Sequence, residues 1–259
     1  MDYLISASSD RGLVKKSNQD SLIAKVLEID GENVALAVLC DGVGGLAKGE
    51  LASATVIRSF DRWFVERFPA IFYSDNLGDQ IRADWQRLLN ICNTKIREYG
   101  NKNSISLGTT VIAILLIKDQ YYGINVGDSR IYQIADKITQ ITKDQTIVNY
   151  ELEQGIITLE QAKTDARNNI LLQCVGASEQ LIPEYIKGNV CQGTVFMLCS
   201  DGFRHVISDE EIYQRFRPDA MVNAEIMKVK AVELIDLNKS RMEKDNISVI
   251  TIKTCLRRE

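Results

Sequence analysis

Four short segments of the chain set an acidic side chain at the edge of an apolar stretch. They are Asn18-Gln19-Asp20, Asp41-Gly42-Val43-Gly44-Gly45, Asp201-Gly202-Phe203 and Asp245-Asn246. Asp41 follows Val34-Ala35-Leu36-Ala37-Val38-Leu39-Cys40, and Asp201 follows Thr194-Val195-Phe196-Met197-Leu198-Cys199-Ser200. Two near-continuous apolar strands that each end in Asp-Gly bring both carboxylates to the rim of one core. Carboxylates ~4 Å apart at an effective dielectric of about 20 repel by about 4 kcal/mol. A fold that gathers several of them must hold protons there, or a cation. With oxygen ligands and a single histidine in the chain, that cation is Mg²⁺ or Mn²⁺.

Each segment also has a plainer meaning. Asp-Gly is a common turn dipeptide, because Asp can hydrogen-bond its own backbone and Gly accepts positive φ. The same holds for Asp245-Asn246 and for Gly127-Asp128-Ser129-Arg130. The conjunction favours chemistry: Gly42, Gly44 and Gly45 remove side chains where a carboxylate ends a strand, so a ligand can reach the backbone. A carbonyl freed there is itself a ligand for a hard cation.

Rival chemistries lack their parts. Gly42-Val43-Gly44-Gly45-Leu46-Ala47 fits a dinucleotide-binding fingerprint with Asp61 about twenty residues on. The functional acid should end a second strand, however, and Asp61 falls inside a helical pattern; Asp41 would also repel a pyrophosphate. His205 is the only histidine, which argues against His-ligated zinc and imidazole-based nucleophilic catalysis. Following Phe203-Arg204, it reads as a surface or loop residue. The chain has no Gly-Lys-Ser/Thr phosphate loop.

The elements that must position these residues follow from periodicity. Ser21 to Leu27 and Val34 to Cys40 read as paired strands. Leu51, Ala54, Ile57, Phe60, Phe64 and Phe68 recur at threes and fours, as on a long helix. A second helix spans about Gly78 to Tyr99, with Gly100 as its stop. Trp63, Trp85 and the phenylalanines at helical spacing are core. Thr109 to Ile117 and Gln120 to Val126 form a hairpin about Lys118-Asp119, and Arg130 to Ile134 with Lys137 to Ile141 form another. Residues 144–170 are more polar, with short helical pieces. Thr158-Leu159-Glu160-Gln161 and Ser208-Asp209-Glu210-Glu211 read as capping boxes. A strand covers Thr194 to Cys199, a helix about Ala220 to Leu237, and the last strand Ile247 to Ile252. Hairpins with helical pairs between them predict an α+β fold, antiparallel sheets packed on each other with helices outside.

The bulk numbers set bounds. The 259 residues carry 45% hydrophobic and 25% charged residues and a formal net charge of -4. Only three prolines occur, no linker is apparent, and a single domain over 1–259 is expected. The negative balance argues against nucleic acid as a partner; the basic pairs Lys15-Lys16 and Arg257-Arg258 are short. The six cysteines, Cys40, Cys92, Cys174, Cys191, Cys199 and Cys255, form no CxxC pair and read as reduced in a cytosolic compartment. No apolar run approaches the ~20 residues of a membrane helix, and the start lacks the pattern of a signal peptide. The expectation is a cytoplasmic monomer that does not engage membranes.

In order, the chain holds Asp10-x-Gly12, Asn18-Gln19-Asp20, Asp41-Gly42-Val43-Gly44-Gly45, Gly108-Thr109-Thr110, Val126-Gly127-Asp128-Ser129-Arg130, Cys199-Ser200-Asp201-Gly202 and Asp245-Asn246. This set, spread over nearly the whole chain, resembles the metal-dependent protein phosphatases of type 2C (PPM) in their bacterial form. The resemblance implies two antiparallel sheets flanked on both sides by helical pairs, and hydrolysis of phosphoserine and phosphothreonine in proteins. It implies two Mn²⁺ or Mg²⁺ ions. Asp41 would bridge them, the Gly42 carbonyl, Asp201 and Asp245 would complete one site, and Asp20 would serve the other, often through water. Asp128, with Asp201, would help hold a weaker third ion. A water between the cations would attack phosphorus, with Asp41, Asp201 and Asp245 as the essential carboxylates. Partners would be phosphoproteins, substrates of a serine/threonine kinase.

Two departures stand out. Where the family has an arginine that grips the phosphate, this chain has Lys15, which keeps the charge but loses the bidentate fork. Val43 stands where some members carry a histidine as general acid. Residues 144–170 fall in the place of the family's mobile flap. A second expectation, from Lys15, is a catalytically weak relative that binds phosphoproteins as a regulatory module.

Overall fold

The computed structural model describes residues 1–43, 46 and 48–257. Gly44, Gly45 and Ala47 of the glycine-rich turn, and Arg258 of the basic tail pair, lie outside the described residues. Within them, ten strands make two five-stranded antiparallel sheets. One contains β1 (Asp2–Asp10), β6 (Arg130–Ile134), β7 (Ile138–Gln140), β9 (Val195–Cys199) and β10 (Ile247–Cys255), in the order β1-β10-β9-β6-β7. The other contains β2 (Ser21–Ile29), β3 (Glu32–Cys40), β4 (Val111–Ile117), β5 (Gln120–Val126) and β8 (Glu184–Asn189), in the order β2-β3-β4-β5-β8.

Alternation along β3 explains its unbroken apolar run. Ala35, Ala37 and Leu39 face the other sheet, where they meet Phe196, Leu198, Ile250 and Ile252. Val34, Leu36, Val38 and Cys40 face outward, under α1 (Gly49–Arg62) and α3 (Leu77–Asn103). A strand covered on both faces has no polar side to show. On the far side, Tyr132, Met197, Cys199 and Val249 pack beneath α7 (Asp209–Phe216) and α8 (Ala224–Ser240). The layers are helix, sheet, sheet, helix, as the sequence predicts.

Several boundaries differ from the expectation. The first helical pattern is α1 continued through a π-turn at Trp63–Arg67 into the short α2 (Phe68–Ile71). The second helix does not stop at Gly100 but at Ser104, which takes the left-handed conformation with φ 53°. The Ser104 N–H donates to the Asn101 carbonyl at 3.3 Å and the Ile105 N–H to the Gly100 carbonyl at 3.0 Å, the paired bonds of a Schellman ending. Gly100 is needed for the return path: a Cβ there would stand 2.7 Å from the Ile105 carbonyl oxygen. Thr109 lies outside β4, in isolated bridges to Gly42 and Val175. Residues Pro218–Ala220 form a 3-10 turn, and the final helix begins at Ala224 under an Asn223 cap that accepts from the Ile226 N–H. Strands β1 and β8 were not anticipated, because both are edge strands only half covered by other elements. Both predicted capping boxes form, at Thr158 and Ser208. All six cysteines are free thiols, and Cys40 and Cys199 are buried in their strands.

Strand register carries the acidic segments to one end of the sandwich. Ser21 pairs with Cys40, Asp10 with Ile247, Cys199 with both Val249 and Arg130, and Val111 with Val126. The connections beyond these pairs therefore converge. Asn246 ties them together: its side-chain oxygen accepts from the Gln19 N–H at 2.9 Å, and its amide donates to the carbonyls of Arg11 at 2.8 Å and Ser17 at 3.2 Å. Gly12, at φ +73°, lies so close that a Cβ would stand 2.1 Å from the Asp245 carbonyl oxygen.

Asn246→Ala should lower stability by about 2–4 kcal/mol, since it removes three buried bonds and strands a donor; urea denaturation reads this as a lower midpoint with an unchanged slope. Ser104→Gly should raise the midpoint slightly, relieving ~1 kcal/mol of left-handed strain, while Gly100→Ala lowers it. The reverse order would show that Ser104, not Gly100, is held by packing.

Candidate metal centre

Asp41 is fixed through its backbone by the Gly108-Thr109-Thr110 segment. Its N–H donates to the Thr110 hydroxyl at 3.0 Å, and its carbonyl accepts from the Thr110 N–H and the Thr109 hydroxyl, both at 2.8 Å. Thr110 in turn shares a 2.8 Å hydroxyl contact with Ser129. The Val43 N–H donates to the Gly108 carbonyl at 3.0 Å. Among the described residues no hydrogen bond reaches the Gly42 carbonyl. Gly42 itself is tightly enclosed: a Cβ would stand 2.8 Å from Gln19 and 2.7 Å from Gly49.

The other carboxylates close around Asp41. Asp20 precedes β2, and its N–H donates to the Asn18 side-chain oxygen at 3.1 Å. Asp201 opens α6 (Asp201–Arg204), the single turn after β9. Gly202 there leaves room for the Asn246 carbonyl, 2.3 Å from where its Cβ would be. Asp245 accepts from the Asn246 N–H at 2.7 Å. Asp128 is buried in the β5–β6 connection, after Gly127 at φ +112°.

Their electrostatics are those of crowded like charges. Burial pushes the Asp41 carboxyl well above the usual range, and the charges of Asp20, Asp201, Asp128 and Asp245 push it further. Asp41 nevertheless keeps part of its surface open to solvent. Asp20 is raised by burial and by Asp201, and Asp128 by burial and by Asp201, with Arg204 opposing. Both oxygens of Asp20 and one of Asp201 are buried without a hydrogen-bond partner. The hydroxyls of Ser200 and Ser248 stand near Asp20 but serve other partners. Unpartnered buried carboxylate oxygens are costly, and a hard cation would satisfy them. Among the described residues no three His, Cys, Asp or Glu side chains already converge as a closed metal cage. The fit therefore rests on the donor chemistry and the charge coupling rather than on preformed coordination distances.

Lys15 lies at this centre. Its ammonium is 2.7 Å from Asp245. Burial opposes its charge, but the Asp245 carboxylate, with Asp41 and Asp201 behind it, outweighs that and raises its pKa. His205 is exposed, as its sequence context predicts, yet it also faces the site. The single turn of α6 returns it over Asp201 at i+4, with Nε2 3.4 Å from Asp201 and Nδ1 3.5 Å from Glu243. The buried Glu243 also accepts from the N–H groups of Lys244 at 2.7 Å and Asp245 at 2.9 Å, bracing the Asp245 turn. The i,i+4 spacing of Asp201 and His205 could have shown the first contact; nothing in the sequence signals Glu243. Arg204 was also missed. It donates to the Asp128 carbonyl at 2.9 Å and approaches Asp144 at 3.4 Å, while Arg130 forks onto Asp144 at 2.7–3.1 Å. Asp144 opens the polar segment that carries α4 (Ile147–Glu153) and α5 (Leu159–Thr164), so that segment is pinned to β6 through Arg130 and to Asp128 of the carboxylate cluster through Arg204.

Comparison with known proteins gives a consistent picture. The family model described as "Protein phosphatase 2C" matches residues 13–231. The serine/threonine protein phosphatase PstP of Mycobacterium tuberculosis is 30% identical over 248 residues, which are 95% of this chain and 44% of that protein. The chain thus spans less than half the length of that curated relative. The serine/threonine phosphatase stp of Listeria welshimeri is 27% identical over 95% of this chain and 93% of its own length. Among solved structures, the S. agalactiae serine/threonine phosphatase superposes with a TM-score of 0.82 at 26% identity, covering 98% of this chain and 100% of that one. The PstP catalytic domain in complex with 2 manganese ions superposes at 0.77 with 29% identity, covering 98% and 99%. No helix among the described residues is long and apolar enough to cross a membrane. With its fold, its motif order and most of its length matched, this chain belongs to the protein phosphatase 2C family.

Proposed function

We propose that this chain hydrolyses phosphoserine and phosphothreonine in proteins at a centre of two Mn²⁺ or Mg²⁺ ions. The observation that carries the reading is the ring of carboxylates around Asp41, with buried oxygens of Asp20 and Asp201 that have no partner. Asp41, the Gly42 carbonyl, Asp201 and Asp245 would hold one ion, and Asp41 with Asp20 the other. Asp128, whose carboxyl is pushed up by burial and by the Asp201 charge, would contribute to a weaker third site. When bound, such ions lower the pKa of a water, orient it towards phosphorus and offset charge on the phosphoryl oxygens.

The chain's own residues do the rest. The threonine pair fixes the Asp41 backbone, so the carboxylate is held in place before any ligand arrives. Glu243 and His205 brace Asp245 and Asp201. Lys15 presents an ammonium to the same space, where it would anchor a substrate phosphate as a point charge. Its Asp245 contact means that a phosphate and a carboxylate compete for one ammonium. The polar segment at 144–170 would act as the flap beside the site: a cavity of about 460 Å³ lies between it and Arg204 and His205, lined also by Asn149 and Lys163. We further propose a single domain acting as a cytoplasmic monomer, on substrates of a serine/threonine kinase.

Purified protein should hydrolyse a phosphothreonine peptide with Mn²⁺ and lose that activity in EDTA. Asp41→Asn and Asp201→Asn should each reduce turnover by about two orders of magnitude or more, with unchanged circular dichroism and weakened Mn²⁺ binding in calorimetry. Turnover within a few-fold of the parent would argue against this centre. Lys15→Arg should lower KM roughly 2–10-fold by restoring a bidentate grip; an unchanged or higher KM would remove Lys15 from the phosphate. Mn²⁺ binding without turnover in the parent protein would favour a phosphoprotein-binding module instead.

A further inference from the structure

The outer helical layer holds a groove of about 460 Å³ between α1, its π-turn extension and α3. Arg58, Arg62, Arg67 and Arg87 line it, with Glu66 and Asp84 as the only lining carboxylates. The groove is therefore positive on a chain whose net charge is -4. Its floor is built: Asp84, buried in α3, accepts from the Trp63 indole N–H at 3.1 Å and from Arg67 at 3.0 Å. Arg87 stands 3.7 Å from the other Asp84 oxygen.

The outer two arginines are uncommitted. Among the described residues Arg58 forms no ion pair or side-chain hydrogen bond, and Arg62 only approaches Glu66, at 3.9 Å with both side chains exposed. The π-turn adds to this. In a continuous α-helix the step from residue 62 to 67 would rotate a side chain by about 140°. Across Trp63–Arg67 the Phe68 N–H bonds to the Trp63 carbonyl, so five residues make little more than one wide turn. That returns Arg67 towards the face of Arg58 and Arg62. Such inserted turns concentrate at functional sites.

We infer that this groove docks an acidic, phosphorylated polypeptide segment of the substrate protein, at a distance from the carboxylate centre. The inference rests on the phosphatase reading for the identity of the partner. Guanidinium forks match phosphate and carboxylate oxygens, and the apolar lining by buried Trp63 and Leu88 and exposed Ile91 suits the carbon stems of a peptide. The spacing is set by α1, which starts at Gly49 against the Gly42 floor. Arg58 and Arg62 lie about 14 and 20 Å along that helix. An extended peptide covers this in at least four to six residues, at ~3.3 Å each. The docked acidic group is thus several residues from the phosphate being hydrolysed.

The test compares the parent with Arg58→Glu/Arg62→Glu, both exposed positions away from the centre. The probe is a labelled peptide with two phosphothreonines about six residues apart and glutamates between them. Fluorescence anisotropy is read in EDTA, so that no turnover intervenes. Parent binding that weakens with salt and falls tenfold or more in the double variant is expected. Hydrolysis of p-nitrophenyl phosphate, too small to reach the groove, should stay within about twofold, because the groove is beyond a Debye length of ~10 Å. KM for the long peptide should rise while that of a short phosphothreonine peptide does not. Equal binding by parent and variant overturns the proposal. So does equal binding of a single-stranded oligonucleotide of the same charge, or a parallel loss of p-nitrophenyl phosphate hydrolysis. Peptide binding by a parent that hydrolyses nothing would support the groove and count against the phosphatase reading.

Discussion

The structure is organised by one electrostatic constraint: several carboxylates must coexist within interaction range of Asp41. In a dry interior such a cluster would protonate or break the fold. Here the acids hang from strand ends and turns, where hydrogen bonds to neighbouring segments hold the backbone while the carboxylates remain within range of one another. The clamps carry no positive charge: threonine hydroxyls on Asp41, a side-chain amide across the Asp20 and Asp245 turns, and the buried carboxylate of Glu243 beneath Asp245. None neutralises the cluster, and Lys15 is the cation that sits closest to doing so. The sandwich therefore supplies rigidity, and the charge deficit is left for what binds.

Much of this was legible because the two faces of a central strand have no choice. Val34 to Cys40 is buried on both sides, so its composition announces both its structure and the position of Asp41 after it. Helices α1 and α3 were legible for the same reason, from the spacing of the residues they bury. What escaped was held by contacts without periodicity. Strands β1 and β8 are edges with one partner each, and their polar faces dilute the pattern. Ser104 ends a helix where a glycine was expected, because tertiary return of the chain fixed its conformation and left Gly100 the tighter place. The contacts of the exposed His205 with Asp201 and Glu243 escaped since a one-turn helix leaves too little sequence to show a face. At the site, the carboxylates were readable from strand ends, whereas Arg204, Asp144 and Glu243 owe their places to long-range pairing.

The arginine pair around Asp144 gives the polar segment a mechanical relation to the centre. Arg130 belongs to β6 and Arg204 to the turn after β9, and both hold the same carboxylate at the root of the segment. Arg204 also touches Asp128. A displacement of the segment at its root is thereby felt at a buried acid of the cluster, through two bonds and without movement of either sheet. Its far end, by contrast, is secured by its own local pairs, such as Arg167 with Asp165 and Glu151.

The sheet order has one more consequence, for biosynthesis. Strand β10 is the last in sequence, yet it lies between β1 and β9, and the turn before it supplies Asp245 and Asn246. Among the described residues strand β1 has no other ladder partner, so the earliest of these ten strands waits for the latest of them. While translation proceeds, the second sheet can close from consecutive segments, but the cleft cannot. The carboxylate cluster is therefore left without its β1–β10 support until β10 has emerged and inserted between β1 and β9.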